Sequence, residues 1–194
     1  MSPIENPTRD EIKDFPTKKY DVVYADPPWP MYGDPNKMAA AGKHYDLMSR
    51  EAINALPIRN ILNDNAAVFL WATCPRLDLA MEAIQEWGLH YRGIAFVWVK
   101  TRGDGQIIYG QGIPPTATKP TTELCLLATT KPRGRPFPLL WAGCPQVVLA
   151  PRGEHSEKPA IVRHYILQLY GDRPRIELFA RQNTPGWDVW GGAF

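Results

Sequence analysis

The stretch YDVVYADPPWP, residues 20–30, joins a short apolar run to an acid, two prolines and a tryptophan. A continuous apolar run of this length reads as a strand buried on both faces. Proline has no N–H to give a ladder and biases the residue before it toward extended backbone. The strand must therefore stop here, with Asp26 held extended at its lip. An acid followed by a rigid corner and one large aromatic suits the mouth of a pocket better than a core.

Working outward, AAVFLWAT (66–73), IAFVWVK (94–100), ELCLLAT (123–129) and RIELFA (175–180) read as further buried strands. SREAINALPIRNIL predicts a helix capped by Ser49, and PRLDLAMEAIQEWG an amphipathic helix closed by Gly88. SEKPAIVRHYILQLYG predicts a third, from Ser156 to a stop at Gly171. Strands that alternate with helices and are apolar throughout point to an α/β domain with a mostly parallel sheet. Ligands of such sheets sit outside the carboxyl ends of the strands, where Asp26 and the segment after Ala180 both fall. Residues 1–18 form a polar N-terminal segment, and 19–194 a single domain.

Composition narrows the function. At 194 residues the chain can bury a real core; its 44% hydrophobic and 22% charged residues are globular values. A net charge of +2 neither demands nor excludes a polyanionic partner. The opening residues lack a basic-then-apolar signal, and the longest apolar stretch, AAVFLWA, is far short of the ~20 residues that span a bilayer. No membrane association is expected, and the cytoplasm is the default compartment. Cys74, Cys125 and Cys144 are odd in number and widely spaced, so neither a disulfide framework nor a metal site is expected.

Three stretches fit no element: 30–48, 101–120 and 131–150. The last two read as a pair of basic arms suited to phosphates, Lys131, Arg133 and Arg135 among them. The alternative is a solvated surface.

In RGEHSEKP, residues 152–159, Lys158 falls in the first turn of the predicted third helix, where a cation opposes the helix dipole. A bound anion would reverse that sign. His155 has no partner at metal-ligand spacing and reads as a hydrogen-bonding loop residue. Past the last strand, Arg181, Gln182 and Asn183 offer donors and acceptors suited to a ribose or a base. There is no G-x-G-x-x-G, no P-loop and no nucleophile elbow.

These pieces together resemble the MT-A type adenine-N6 methyltransferases, related to the catalytic subunit that methylates adenosine in messenger RNA. The matching segments run in family order over almost the whole chain: YADPPW, HYDLM, VFLWAT, EWGLHYRGIAFVWVK, TELCLLATTKPRG, EHSEKP and IELFARQNTPGWDVWG. The resemblance implies a Rossmann-like, S-adenosyl-L-methionine-dependent methyltransferase domain of permuted order, with the catalytic strand end first and the cofactor strand last. It places the catalytic tetrad on Asp26, Pro27, Pro28 and Trp29. It assigns the cofactor to Asp26, His155, Ser156, Lys158, Glu177, Phe179, Arg181, Gln182 and Asn183, with Lys158 on the cofactor's carboxylate. Tyr45 and Glu123 would line the target-base pocket, and Lys131, Arg133 and Arg135 would meet the nucleic acid. The family commonly ends WGN; here Gly192 stands in place of the Asn and cannot offer an amide to the cofactor's adenine.

The exocyclic amine of adenine is a poor nucleophile because its lone pair is delocalised into the ring. The Asp26 carboxylate and the Pro27 carbonyl could each accept one of its N–H groups, freeing that lone pair for a sulfonium methyl. Trp29 is expected to stack on the extruded base. The nucleic acid is expected to be DNA, with RNA the alternative, and a homodimer or second subunit is one source of a missing strand-opening surface. A catalytically silent nucleic-acid-binding scaffold and a small-molecule methyltransferase are the rival readings; the intact tetrad speaks against the first and the basic arms against the second.

Overall fold

A computed structural model describes residues 12, 14–30, 47–110, 117–153 and 157–191. Seven strands form one sheet: β1 (Tyr20–Ala25), β2 (Leu62–Thr73), β3 (His90–Thr101), β4 (Thr122–Thr129), β5 (Val147–Pro151), β6 (Arg175–Leu178) and β7 (Asp188–Trp190). Their order across the sheet is β5-β3-β4-β2-β1-β6-β7. The pairs β1–β2, β1–β6, β6–β7 and β3–β5 are parallel, while β4 runs antiparallel to both of its neighbours. The fold is thus the expected α/β domain with a mostly parallel sheet.

Period-2 alternation sorts the strand side chains into two cores. Val23, Ala25, Val68, Leu70, Ala72 and Leu126 pack with Ile53 of α1 (Arg50–Asn54) and Leu79, Ala80, Ala83 and Ile84 of α2 (Leu77–Glu86). On the other face, Tyr24, Phe69, Trp71, Phe96, Trp98 and Cys125 meet Val162, Ile166 and Tyr170 of α3 (Ala160–Tyr170). Each fully buried large side chain contributes about 1.5–3 kcal/mol. The second core is rich in rings, with Trp71 edge-on to both Tyr24 and Trp98 at 6.4 Å.

The helices depart from expectation where proline intervenes. Ser49 caps α1 as predicted, its Oγ accepting from the Ala52 amide at 3.0 Å. The helix then ends at Asn54, and only a 3-10 turn (Ile58–Ile61) follows Pro57. Gly88 and Gly171 end α2 and α3 with φ of 66° and 76°, values that glycine adopts freely. The third helix begins at Ala160 with Pro159 in the cap position, rather than at Ser156. Proline disfavours helical backbone in the residue before it. Lys158 is therefore not in a first helical turn, and its predicted conflict with the dipole does not arise.

Candidate active site

β1 ends at Ala25, and Asp26 follows at the carboxyl edge of the sheet. Because β4 is reversed, its first turn of chain reaches the same edge, where Glu123 stands opposite both Thr73 and Trp98. Lys100 arrives there at the end of β3. Asp26 is two residues beyond Tyr24, Lys100 two beyond Trp98, and Glu123 two before Cys125, so all three lie on the α3 face. Lys158, just ahead of α3, completes the group.

The four charges alternate in sign. Lys158 Nζ donates to Asp26 Oδ2 at 2.6 Å and forms an ion pair with Glu123 Oε2 at 3.1 Å. Glu123 Oε1 accepts from Lys100 Nζ at 2.5 Å. Both ammonium groups sit over indoles, Lys158 5.8 Å from Trp71 and Lys100 5.0 Å from Trp98. The Lys158 side chain is 7% exposed and that of Asp26 21%, so Asp26 is the acid of the group that opens to solvent, as Glu123 is only 10% exposed.

Burial is the largest influence on Asp26 and pushes its carboxyl above the ordinary aspartate range; the Lys158 charge opposes the rise and the Glu123 charge adds to it. At Glu123 burial also pushes upward, but the Lys158 and Lys100 charges and their hydrogen bonds together hold the carboxyl below its usual range. Burial would release the Lys158 proton, yet Asp26 and Glu123 keep it bound. If Asp26 must be ionised to work, activity is lost as pH falls through its raised value. The acid limb of kcat against pH is therefore expected above the ordinary aspartate range. Lys158→Met, which removes the opposing cation, should move that limb higher still; a limb unmoved in the variant would disconnect it from Asp26.

The tetrad is locked from behind. Trp29 is only 8% exposed, and its indole N–H donates to the Trp71 carbonyl at 2.9 Å. The hydrogen bond anchors the corner and leaves little of the indole open for the expected stacking. The Pro27 carbonyl accepts from the Trp29 amide at 2.8 Å and keeps a second lone pair. Pro28 accepts from the Met48 amide at 3.1 Å.

Other expected site residues divide. Arg181 is exposed beyond β6 and its charge reaches Asp26, while Gln182 and Asn183 are exposed beside it. Phe179, between them and β6, has φ of 60°, strained for a side chain of this size, and is held there by its amide donating to the Trp190 carbonyl at 2.6 Å. Glu177 is 7% exposed and bound bidentately by Arg163, at 2.7 and 2.6 Å, an arrangement that joins β6 to α3. Lys131, Arg133 and Arg135 follow the far end of β4 and lie at the opposite, amino edge of the sheet. Tyr45, His155, Ser156 and Gly192 lie outside the described residues. Sequence reading missed Lys100, although strand alternation with Trp98 places it on the site's face. Among the described residues no group of three His, Cys, Asp or Glu could hold a metal, and no helix is long and apolar enough to cross a membrane.

Comparison with known proteins identifies the family. Residues 20–193 match the MT-A70 family model. The Type II methyltransferase M.MunI of a Mycoplasma species is 30% identical over 204 positions, which cover 96% of this chain and 82% of that protein. The N6-methyladenosine RNA methyltransferase MTA1 of Pyricularia oryzae is 31% identical, over 89% of this chain but 46% of its own. The human N(6)-adenine-specific methyltransferase METTL4 is 26% identical, over 90% of this chain and 37% of its own. With a family match over nearly the whole chain and the tetrad set at the carboxyl edge of an α/β sheet, the protein belongs to the MT-A70 family of adenine-N6 methyltransferases.

Proposed function

We propose that this chain transfers a methyl group from S-adenosyl-L-methionine to the N6 amine of adenine in DNA, in the cytoplasm. The observation that carries the reading is the alternating chain Asp26–Lys158–Glu123–Lys100, set beside the rigid Pro27–Pro28 corner. Among the described residues Asp26 accepts only from Lys158, which leaves acceptor capacity for an incoming amine. The Pro27 carbonyl, with its spare lone pair, is the second acceptor. Both are fixed in advance, so little reorganisation accompanies the reaction.

The residues fit the cofactor. Lys158 is a buried ammonium held by two carboxylates, and a third carboxylate, that of the cofactor's methionine end, suits it as well. Arg181, Gln182 and Asn183, projected by the strained turn at Phe179, suit a ribose. When bound, S-adenosyl-L-methionine supplies an electrophilic methyl group and the positive charge that drives its departure. Asp26 and Glu123 would set carboxylate charge toward it, and the buried Trp71 and Trp98 keep the floor beneath these carboxylates dry.

The DNA assignment leans on the match to the Mycoplasma Type II methyltransferase over 82% of that protein, against a match over 46% of the longer RNA methyltransferase MTA1. With Trp29 committed to anchoring, base extrusion falls to loop contacts or a second subunit, so unpaired adenine is the favoured substrate. The test is nucleoside mass spectrometry after incubation with methyl-labelled cofactor and single-stranded DNA, duplex DNA or single-stranded RNA. Labelled N6-methyldeoxyadenosine, formed fastest on single strands, is expected. Faster labelling of RNA would overturn the DNA assignment, and no labelling of any polymer would favour the silent scaffold.

A further inference from the structure

The reversed strand β4 delivers its two flanking loops to opposite edges of the sheet. Glu123 stands at the catalytic edge, and Thr129, at the other end of the strand, is about 20 Å away at ~3.3 Å per residue. Lys131, Arg133 and Arg135 follow at once. Their loop is pinned to the amino edge: the Thr130 hydroxyl donates to the Asp64 carbonyl at 2.8 Å, and Asn65 Nδ2 donates to the Pro136 carbonyl. Arg92 Nη1, at the start of β3, donates to the Lys131 carbonyl at 3.3 Å. Pro136 and Phe137 are buried beneath, while the four cations Arg92, Lys131, Arg133 and Arg135 are exposed.

None of these four enters an ion pair among the described residues. Farther along the same edge the pattern differs, because Lys18, Arg173 and Arg175 are each matched by an acid. From Leu124 to Gly153 the sequence has no acid at all. Like charges held together on a pinned backbone gather counterions, and a polyanion gains free energy by releasing them. Three of the four are arginines, whose planar forks suit phosphate oxygens. The loop between Lys131 and Pro138 exposes no aromatic anchor of the kind a protein interface would favour, and Tyr91 beside Arg92 is the exposed ring nearest in sequence.

We propose that this amino-edge strip is a second contact surface for the phosphate backbone of the nucleic acid, remote from the base being methylated. The proposal rests on the functional reading above for its choice of polymer, but it is tested by binding alone. In a hexamer the longer flank beside a near-central adenine is three nucleotides and spans only about 10 Å when stacked, too short to reach the strip from Asp26. The experiment compares binding of a 24-nucleotide and a 6-nucleotide single strand, each with one adenine next to its midpoint, to the parent chain and to the triple variant K131A/R133A/R135A, over a range of salt. The triple variant is expected to bind the 24-mer at least tenfold more weakly, with a log–log salt slope shallower by about 2, at ~0.7 per lost phosphate contact. Its 6-mer affinity should move less than twofold, and the charge-preserving R133K/R135K should stay near the parent on both. Equal losses on both lengths would put these residues at the catalytic mouth or in the stability of the fold and overturn the proposal. Unchanged 24-mer binding would overturn it in favour of a solvated surface, and tighter binding of poly-L-glutamate than of the 24-mer would overturn it in favour of an acidic protein partner. A chain that binds the 24-mer through the strip yet methylates nothing would refute the proposed function and leave the strip standing.

Discussion

Asp26→Ala is expected to lower kcat by about 10²–10³-fold, the loss typical when one preorganised hydrogen-bonding group is removed from a reacting centre. The fold should survive. Asp26 lies beyond the end of β1 and is the most exposed acid of the quartet, and Lys158 keeps Glu123 as its counter-ion when Asp26 is gone. Single-turnover kinetics at saturating cofactor isolate the chemical step, and a thermal midpoint close to that of the parent checks the fold. A variant within tenfold of the parent would remove Asp26 from the reaction.

The second large effect concerns stability. Arg163 and Glu177 are both nearly buried and share two short hydrogen bonds. Taking away one partner leaves the other as an uncompensated charge inside the protein, at a cost of about 3–5 kcal/mol. Arg163→Ala and Glu177→Gln are therefore expected to shift the denaturant midpoint strongly. The double change R163M/E177L, which removes both charges and keeps much of the volume, should recover most of the loss. Single variants as stable as the parent would show that the pair is not desolvated. The double variant also tests the cofactor role that family resemblance implies for Glu177: if the arrangement is structural, its affinity for S-adenosyl-L-methionine should match the parent's.

How much of this was legible in the sequence depended on whether local rules met a tertiary exception. The first strand was read with its observed bounds because a continuous apolar run met a hard stop at Pro27. β2 and β3 begin earlier than their apolar runs suggest, since Leu62 already pairs with Tyr20 ahead of a register shift, and His90, Tyr91 and Gly93 pair with β4 without being uniformly apolar. β5 falls in a stretch that fits no element locally, because it is an edge strand whose Val147 and Leu149 face outward and which ends in proline. The quartet was half visible. Asp26, Glu123 and Lys158 followed from motif resemblance, whereas Lys158's place between two carboxylates came from the extended backbone ahead of Pro159. The two basic arms looked like a pair because nothing local reveals that β4 is reversed. Only the pairing of β4 with β2 and β3 sends Lys131, Arg133 and Arg135 to the other side.

The position of β1 also bears on how the chain is made. It lies between β2 and β6, and Val22 pairs with Arg175, roughly 150 residues further along. As the polypeptide leaves the ribosome, β1 can join β2 early, but its other flank stays open until β6 has been synthesised and α3 has carried the chain across the sheet. Throughout that interval an apolar strand presents unpaired backbone groups, a template for pairing with a neighbouring nascent chain. Fragments that end before Arg175 should consequently aggregate where the full chain stays dispersed, and chaperone dependence should fall once Leu178 has emerged.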